Sequence, residues 1–208
     1  MRLRNVKNKE EILNNSKFLV KNYMDYKGNW SSYFNNDNPI YIEIGMGKGK
    51  FIIENAIRYP DINFIGIEKF DSVLAKSLPK IPDNLTNLAI IRMDALNIEN
   101  AFSNEISRIY LNFSDPWPKD RHHLRRLTSR VFLEKYDSIF KDTSEIFQRT
   151  DNQQLFIYSL ESLSAFGYTL SDISFDLHKN IDESLITTEY EDKFSSKGMP
   201  IYSLVARK

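Results

Sequence analysis

The chain has no cysteine among its 208 residues, so disulfides, thiolate metal sites and a cysteine nucleophile are excluded. No run of eighteen apolar residues occurs, and no membrane-spanning helix or membrane partner is expected. The stretch from Met1 to Leu13 carries charge without an apolar segment, so no secretory signal is expected either. The missing cysteines suit a reducing compartment, and a cytoplasmic location is expected. Net charge is also missing: 28 Lys and Arg balance 28 Asp and Glu. Alone, this argues weakly against nucleic acid. The distribution argues the other way, with net +4 over residues 1–27, net +4 over 119–130 and net −9 over 132–192. Such asymmetry is what local electrostatic binding needs.

What is present reads as one α/β domain large enough to bury a core. Residues 8–25 carry apolar Ile12, Leu13, Leu19, Val20 and Tyr23 at roughly helical spacing, and residues 27–39 read as a connector. Strands and helices then alternate. Strands are expected at 40–45, 62–67, 88–93, 106–113 and 146–149, with β structure again at 168–177 and 201–206. Helices are expected at 51–59, 73–78, 130–140 and 152–166. That order implies βαβ units and a doubly wound, mostly parallel sheet. Any ligand should lie at the carboxyl ends of the strands.

The motifs fall at those ends. Glu43-Ile-Gly45-Met-Gly47-Lys-Gly49 closes the first strand and opens a helix. The G-x-G-x-x-G dinucleotide fingerprint is not met, because Lys50 stands where that pattern has its third glycine. Glu68 ends the second strand about 20 residues on, where an acid accepts ribose hydroxyls. Asp94 ends the third strand, where an adenine should lie. Each acid alone reads as a surface carboxylate or a helix cap; three at successive strand ends beside a glycine turn do not. After the fourth strand, Asp115-Pro-Trp117-Pro-Lys119 holds a carboxylate in a proline-stiffened loop, followed by Arg121, His122, His123, Arg125 and Arg126. No histidine–acid spacing of a metal site is present, so no metal is expected. Trp117 and Tyr190 fit base stacking or a core equally well. Asp151 begins a helix and reads as a cap, a substrate ligand, or both.

Four stretches, IEIGMGKGKF, NFSDPWPKDRHHLRRLT, QRTDNQQLFIYSL and TTEYEDKFSSKGMPIY, together resemble the bacterial tRNA (guanine-N7)-methyltransferases of the TrmB type. The resemblance implies a Rossmann-like class I methyltransferase fold: a seven-stranded, mostly parallel sheet over residues 38–208, preceded by an N-terminal helical extension at 1–37. It implies S-adenosyl-L-methionine as cofactor, bound by Glu43, Gly45, Gly47, Gly49, Glu68, Asp94 and Asp115, with Asp115 also catalytic. It implies substrate contact by Lys119, Asp151, Thr188, Glu189, Tyr190 and Glu191, and RNA contact by Arg121, His122, His123, Arg125 and Arg126. The implied reaction is methylation of guanosine 46 in the tRNA variable loop, by a monomer or a homodimer. Arg149 stands where the family usually has lysine. Three other readings fit these residues less well: the glycine spacing and the basic loop argue against a nicotinamide-dependent oxidoreductase, Trp117 between the two prolines against an adenine amino-methyltransferase, and the set Glu43, Glu68, Asp94 and Asp115 against a non-catalytic RNA-binding protein.

Overall fold

The computed structural model describes residues 6–180 and 184–208; Arg2 and Arg4, which could extend a basic footprint, lie outside them. The chain runs through α1 (Lys9–Asn15), α2 (Trp30–Phe34), β1 (Ile40–Ile44), α3 (Lys50–Arg58), β2 (Asn63–Glu68), α4 (Asp71–Ser77), β3 (Leu88–Arg92), β4 (Ile106–Asn112), α5 (Arg130–Ile139), β5 (Glu145–Thr150), α6 (Gln153–Ala165), β6 (Thr169–Ser174), α7 (Glu189–Ser195) and β7 (Tyr202–Arg207). Short 3-10 turns, among them Ala95–Asn100, Asp120–Arg125 and Leu177–Asn180, link these elements.

The seven strands form one sheet in the order β3-β2-β1-β4-β5-β7-β6, parallel except for β7. The chain moves outward from β1 to β3 and returns to β4 on the other side of β1. The two halves therefore diverge between β1 and β4, and the crevice at their carboxyl ends is the expected ligand position. All six positions of β2 are buried, as a strand covered on both faces requires. One face packs Ile42, Ile65, Ile109 and Ile146 against α2, α5 and α6 through Trp30, Phe132, Tyr136 and Phe156. The other packs Phe64, Ile90 and Tyr110 against α3 and α4 through Phe51, Ile52 and Leu74.

The N-terminal region differs from the expectation of one helix over 8–25. The helix ends at Asn15, and Leu19 then lies parallel to Ile90 on β3, with Val20 N–H donating to Ile90 O at 2.9 Å and Ile90 N–H to Phe18 O at 2.8 Å. Ile12 and Leu13 lie on the helix, whereas Leu19 and Val20, expected on the same helical face, are buried with Phe18 and cover the sheet edge. The expected connector contains α2, whose Trp30 is fully buried and donates its indole N–H to Ala101 O at 2.9 Å. At the other end, α7 was not anticipated, although Thr188-x-x-Glu191 spells a capping box and both of its hydrogen bonds form.

Candidate active site

The turn after β1 is built by backbone conformation. Gly45, Gly47 and Gly49 all have positive φ (79°, 58° and 84°), which glycine adopts without steric cost. A Cβ on Gly49 would also lie 3.1–3.3 Å from Ile53, Met46 and Ser77. The N–H groups of Gly45 and Met46 both donate to Ile67 O, at 2.8 and 3.0 Å, and fasten the turn to β2.

A cleft of about 780 Å³ opens above this turn, lined among others by Gly45, Glu68, Asp94, Phe113, Asp115 and Trp117. Three expected acids therefore share one space. Glu68 accepts from Lys69 and Phe70 N–H through Oε1 at 2.8 and 3.0 Å, and from Gly47 N–H through Oε2 at 3.2 Å. Burial raises its pKa, those three bonds oppose the rise, and the nearby Asp115 charge adds to it. Asp94 caps the turn at Ala95–Asn100 through Leu96 N–H at 3.0 Å and pairs with Lys69 at 2.6 Å, which holds it below the usual carboxylate range. Asp115 is exposed and has no hydrogen-bond or ion-pair partner among the described residues. Glu43 lies at 1% exposure and does not line the cleft; Asn112, which does, donates to its Oε1 at 2.9 Å. Its Oε2 is buried without a partner among the described residues, and burial pushes the carboxyl up to about 8 against the pull of Asn112 and Arg149. Gly47 and Gly49 shape the turn and likewise do not line the cleft.

The loop after β4 carries two non-glycine residues at positive φ, Phe113 (51°) and Trp117 (43°). Such backbone strain persists only where surroundings fix it. Here Arg126 does so, donating from Nε to Pro116 O at 3.0 Å and from Nη2 to Trp117 O at 3.1 Å, while its guanidinium lies 4.4 Å from the Tyr158 ring. At 8% exposure Arg126 faces inward, which differs from the expected RNA contact. Arg125 instead stacks outward on Trp117 at 4.9 Å, and His122 meets the same ring edge-on at 5.8 Å. Lys119, Arg121 and His123 are exposed beside them, His123 donating from Nδ1 to Asp120 O at 2.7 Å. Trp117 is thus a half-buried platform for cations and not a core residue.

The C-terminal motif is folded against the glycine turn. Lys50 donates to Thr187 Oγ1 at 2.9 Å and pairs with Asp192 at 2.5 Å, while Lys80 joins Lys48 O at 3.0 Å to Glu189 at 2.7 Å. Glu191, expected at the substrate, is 0% exposed. It holds Arg149 at 3.2 Å, His178 at 2.8 Å and Thr188 N–H at 3.3 Å, so it braces the motif from beneath. Tyr190 is 41% exposed, lies 5.0 Å from the Phe113 ring and donates its hydroxyl to Asp151 Oδ2 at 3.1 Å. Partial burial and the Asp151 carboxylate push its phenol up to about 12. Asn152, not Asp151, caps α6, accepting from Leu155 N–H at 2.8 Å. Asp151 is thereby free of the capping role. Lys80, Glu191 as a brace and Phe113 were not found from sequence, since the first two act through distant partners and the third through an unusual backbone angle.

No cluster of three or more His, Asp or Glu that could hold a metal occurs among the described residues, and none of their helices is long and apolar enough to cross a membrane. A family model described as "Putative methyltransferase" matches residues 37–204. Among solved structures, the chain is similar in fold to the 16S rRNA methyltransferase KamB (TM-score 0.65, 12% identity, 86% of this chain and 91% of that one) and to an antibiotic-related methyltransferase (TM-score 0.64, 15% identity, 86% and 92%). Proteins named tRNA (guanine-N(7)-)-methyltransferase are much nearer in sequence. That of a Geobacillus strain is 51% identical over 97% of this chain and 93% of its own length, and that of Lysinibacillus sphaericus is 48% identical over 98% and 96%. The Bacillus subtilis protein of that name is 47% identical over 92% and 91%. At such identity along nearly the whole of both chains, with a class I methyltransferase sheet beneath it, this chain belongs to the bacterial tRNA (guanine-N7)-methyltransferase family.

Proposed function

We propose that this protein transfers a methyl group from S-adenosyl-L-methionine to N7 of a guanosine in tRNA, at position 46 of the variable loop, in the cytoplasm. The single observation that carries the reading is Asp115: an unpaired, exposed carboxylate on a strained loop, shared by the acid-lined cleft and the basic segment that follows it.

The residues fit the cofactor. The cleft volume lies in the range of small-molecule sites, roughly 300–1,000 Å³. Glu68 stands at the end of β2, where ribose hydroxyls are accepted, and exposed Phe70 and Leu96 flank Asp94 as apolar walls for an adenine. The orphaned Oε2 of Glu43 lies behind Asn112 on the same side. When bound, the cofactor supplies an electrophilic methyl on a sulfonium.

Guanine N7 has a lone pair and no proton, so no general base is needed. The base becomes positive as it is methylated, and Asp115 is an acceptor held where that charge develops. The strain at Phe113 and Trp117, fixed by Arg126, keeps it there. Asp151 and Tyr190 are placed to orient the guanine, and alignment of N7 with the methyl carbon carries much of the rate. Lys119, Arg121 and Arg125 bind phosphates, which gives affinity rather than sequence choice. Residues 38–208 carry this chemistry, and within the N-terminal extension at 1–37 the stretch 18–20 covers the sheet edge. The test is incubation with labelled cofactor and unmodified tRNA, followed by identification of the product nucleoside. 7-Methylguanosine is expected; a methyl group on adenosine or on another guanine atom would sink the reading.

A further inference from the structure

Three aromatic rings lead out of the cleft. Phe113 lines it, Tyr190 follows at 5.0 Å between ring centroids, and Phe194 stacks on Tyr190 at 4.2 Å with an interplanar angle of 23°. Tyr190 and Phe194 lie four residues apart on α7, so they share one helix face. The Tyr190 hydroxyl is tied to Asp151, which fixes the middle ring. The outermost ring, Phe194, is only half-buried.

Charge marks the same place. The ammonium groups of Lys193 and Lys197 lie 5.7 and 5.5 Å from the Phe194 ring centroid. Neither belongs to an ion pair among the described residues, whereas Lys50, Lys69 and Lys80 around the cleft are each paired with an acid. An aromatic face bearing unneutralised cations fits a nucleotide: the base stacks on the ring and the phosphates meet the ammonium groups. A peptide partner would need a wider apolar surface than one ring provides.

We propose that Phe194, with Lys193 and Lys197, holds the nucleotide adjoining the methylated guanosine, its base on the exposed ring and its phosphates on the two lysines. This rests on the reading of the cleft as a tRNA guanine-N7 methylation site. Withdrawing a guanosine from the tRNA fold unstacks its neighbour, and the ring ladder gives that neighbour a new stacking partner beside the site.

The test compares the parent with Phe194→Ala and Phe194→Trp on unmodified tRNA transcripts. It repeats the comparison on transcripts carrying an abasic nucleotide directly 5′ or 3′ of the methylated guanosine. Loss of one stacked base weakens binding by roughly 5-fold to 150-fold, so Phe194→Ala should raise the Kd for tRNA by that factor. Cofactor affinity, measured by calorimetry, should stay within about 2-fold, and Phe194→Trp should restore tRNA binding. On one of the two abasic transcripts the Phe194→Ala penalty should vanish. A neutral Phe194→Ala, a penalty equal on intact and both abasic transcripts, or a matching loss of cofactor affinity overturns the inference while leaving the methylation reading standing. A parent protein that forms no 7-methylguanosine overturns both.

Discussion

Glu43 gives a prediction whose size follows from its surroundings. Its carboxyl is fully buried, with Asn112 on one oxygen and no partner on the other among the described residues, and burial pushes it up to about 8 from the ordinary 4.5. Desolvation is the largest cause, Glu189 and Glu68 add to it, and Asn112 and Arg149 oppose it. The folded-state value is raised, so the neutral acid is the form the fold favours. Stability is fully present below about pH 4.5 and is lost progressively until pH passes about 8. At ~1.4 kcal/mol per pH unit for one proton, a gap of about 3.5 (8 − 4.5) corresponds to ~5 kcal/mol. Glu43→Gln keeps the shape and removes the titration. The assay is urea unfolding of the cofactor-free parent and variant between pH 5 and pH 9. The variant should gain about 4 kcal/mol on the parent across that range, with most of the change below pH 8. A difference that stays constant within about 1 kcal/mol, or that grows in the parent's favour, would mean that Glu43 is ionised throughout and that Arg149, not burial, governs it.

Three further predictions separate shape from contact. Gly49→Ala places a Cβ at φ 84° against three side chains at 3.1–3.3 Å, and should destabilise the fold by about 2 kcal/mol, measured by chemical denaturation. Arg125→Ala should flatten the salt dependence of tRNA binding with little change in stability, since Arg125 is exposed on Trp117. Arg126→Ala should instead leave that slope nearly unchanged and cost about 2–3 kcal/mol in unfolding, because it frees two carbonyls of the strained loop. Equal effects of the two arginines on the salt slope would place both on the RNA.

Sequence carried the parallel part of the sheet because β1 to β4 are short, largely apolar runs that end at or just before a motif residue, and the alternation with helices allows few topologies. It carried the cleft for the same reason: Glu68 ends β2, and Asp94 and Asp115 follow closely on the ends of β3 and β4. It did not carry the direction in which a charged side chain turns. Arg125 and Arg126 are adjacent in one basic run, yet one stacks outward and the other is used by backbone carbonyls ten and nine residues earlier in the chain. Glu191 and Glu189 likewise share a motif while one is buried and the other pairs with Lys80. The N-terminal error has a related cause. Ile12, Leu13, Leu19 and Val20 fit helical spacing, but the open edge of β3 offers the second pair a strand partner that local periodicity cannot register. Asp151 and Asn152 are neighbours with equal capping chemistry, and the side chain that reaches Leu155 decides between them.

The most direct measurement is single-turnover methyl transfer to unmodified tRNA, with cofactor and tRNA both saturating, for the parent and Asp115→Asn side by side. The account predicts 7-methylguanosine as the parent's product. It also predicts a rate lower by about 10²–10³ in the variant, the usual loss when one group stabilising transition-state charge is removed, with cofactor and tRNA affinities within a few-fold. A different methylated nucleoside, or an Asp115→Asn variant that keeps the parent's rate, would contradict it.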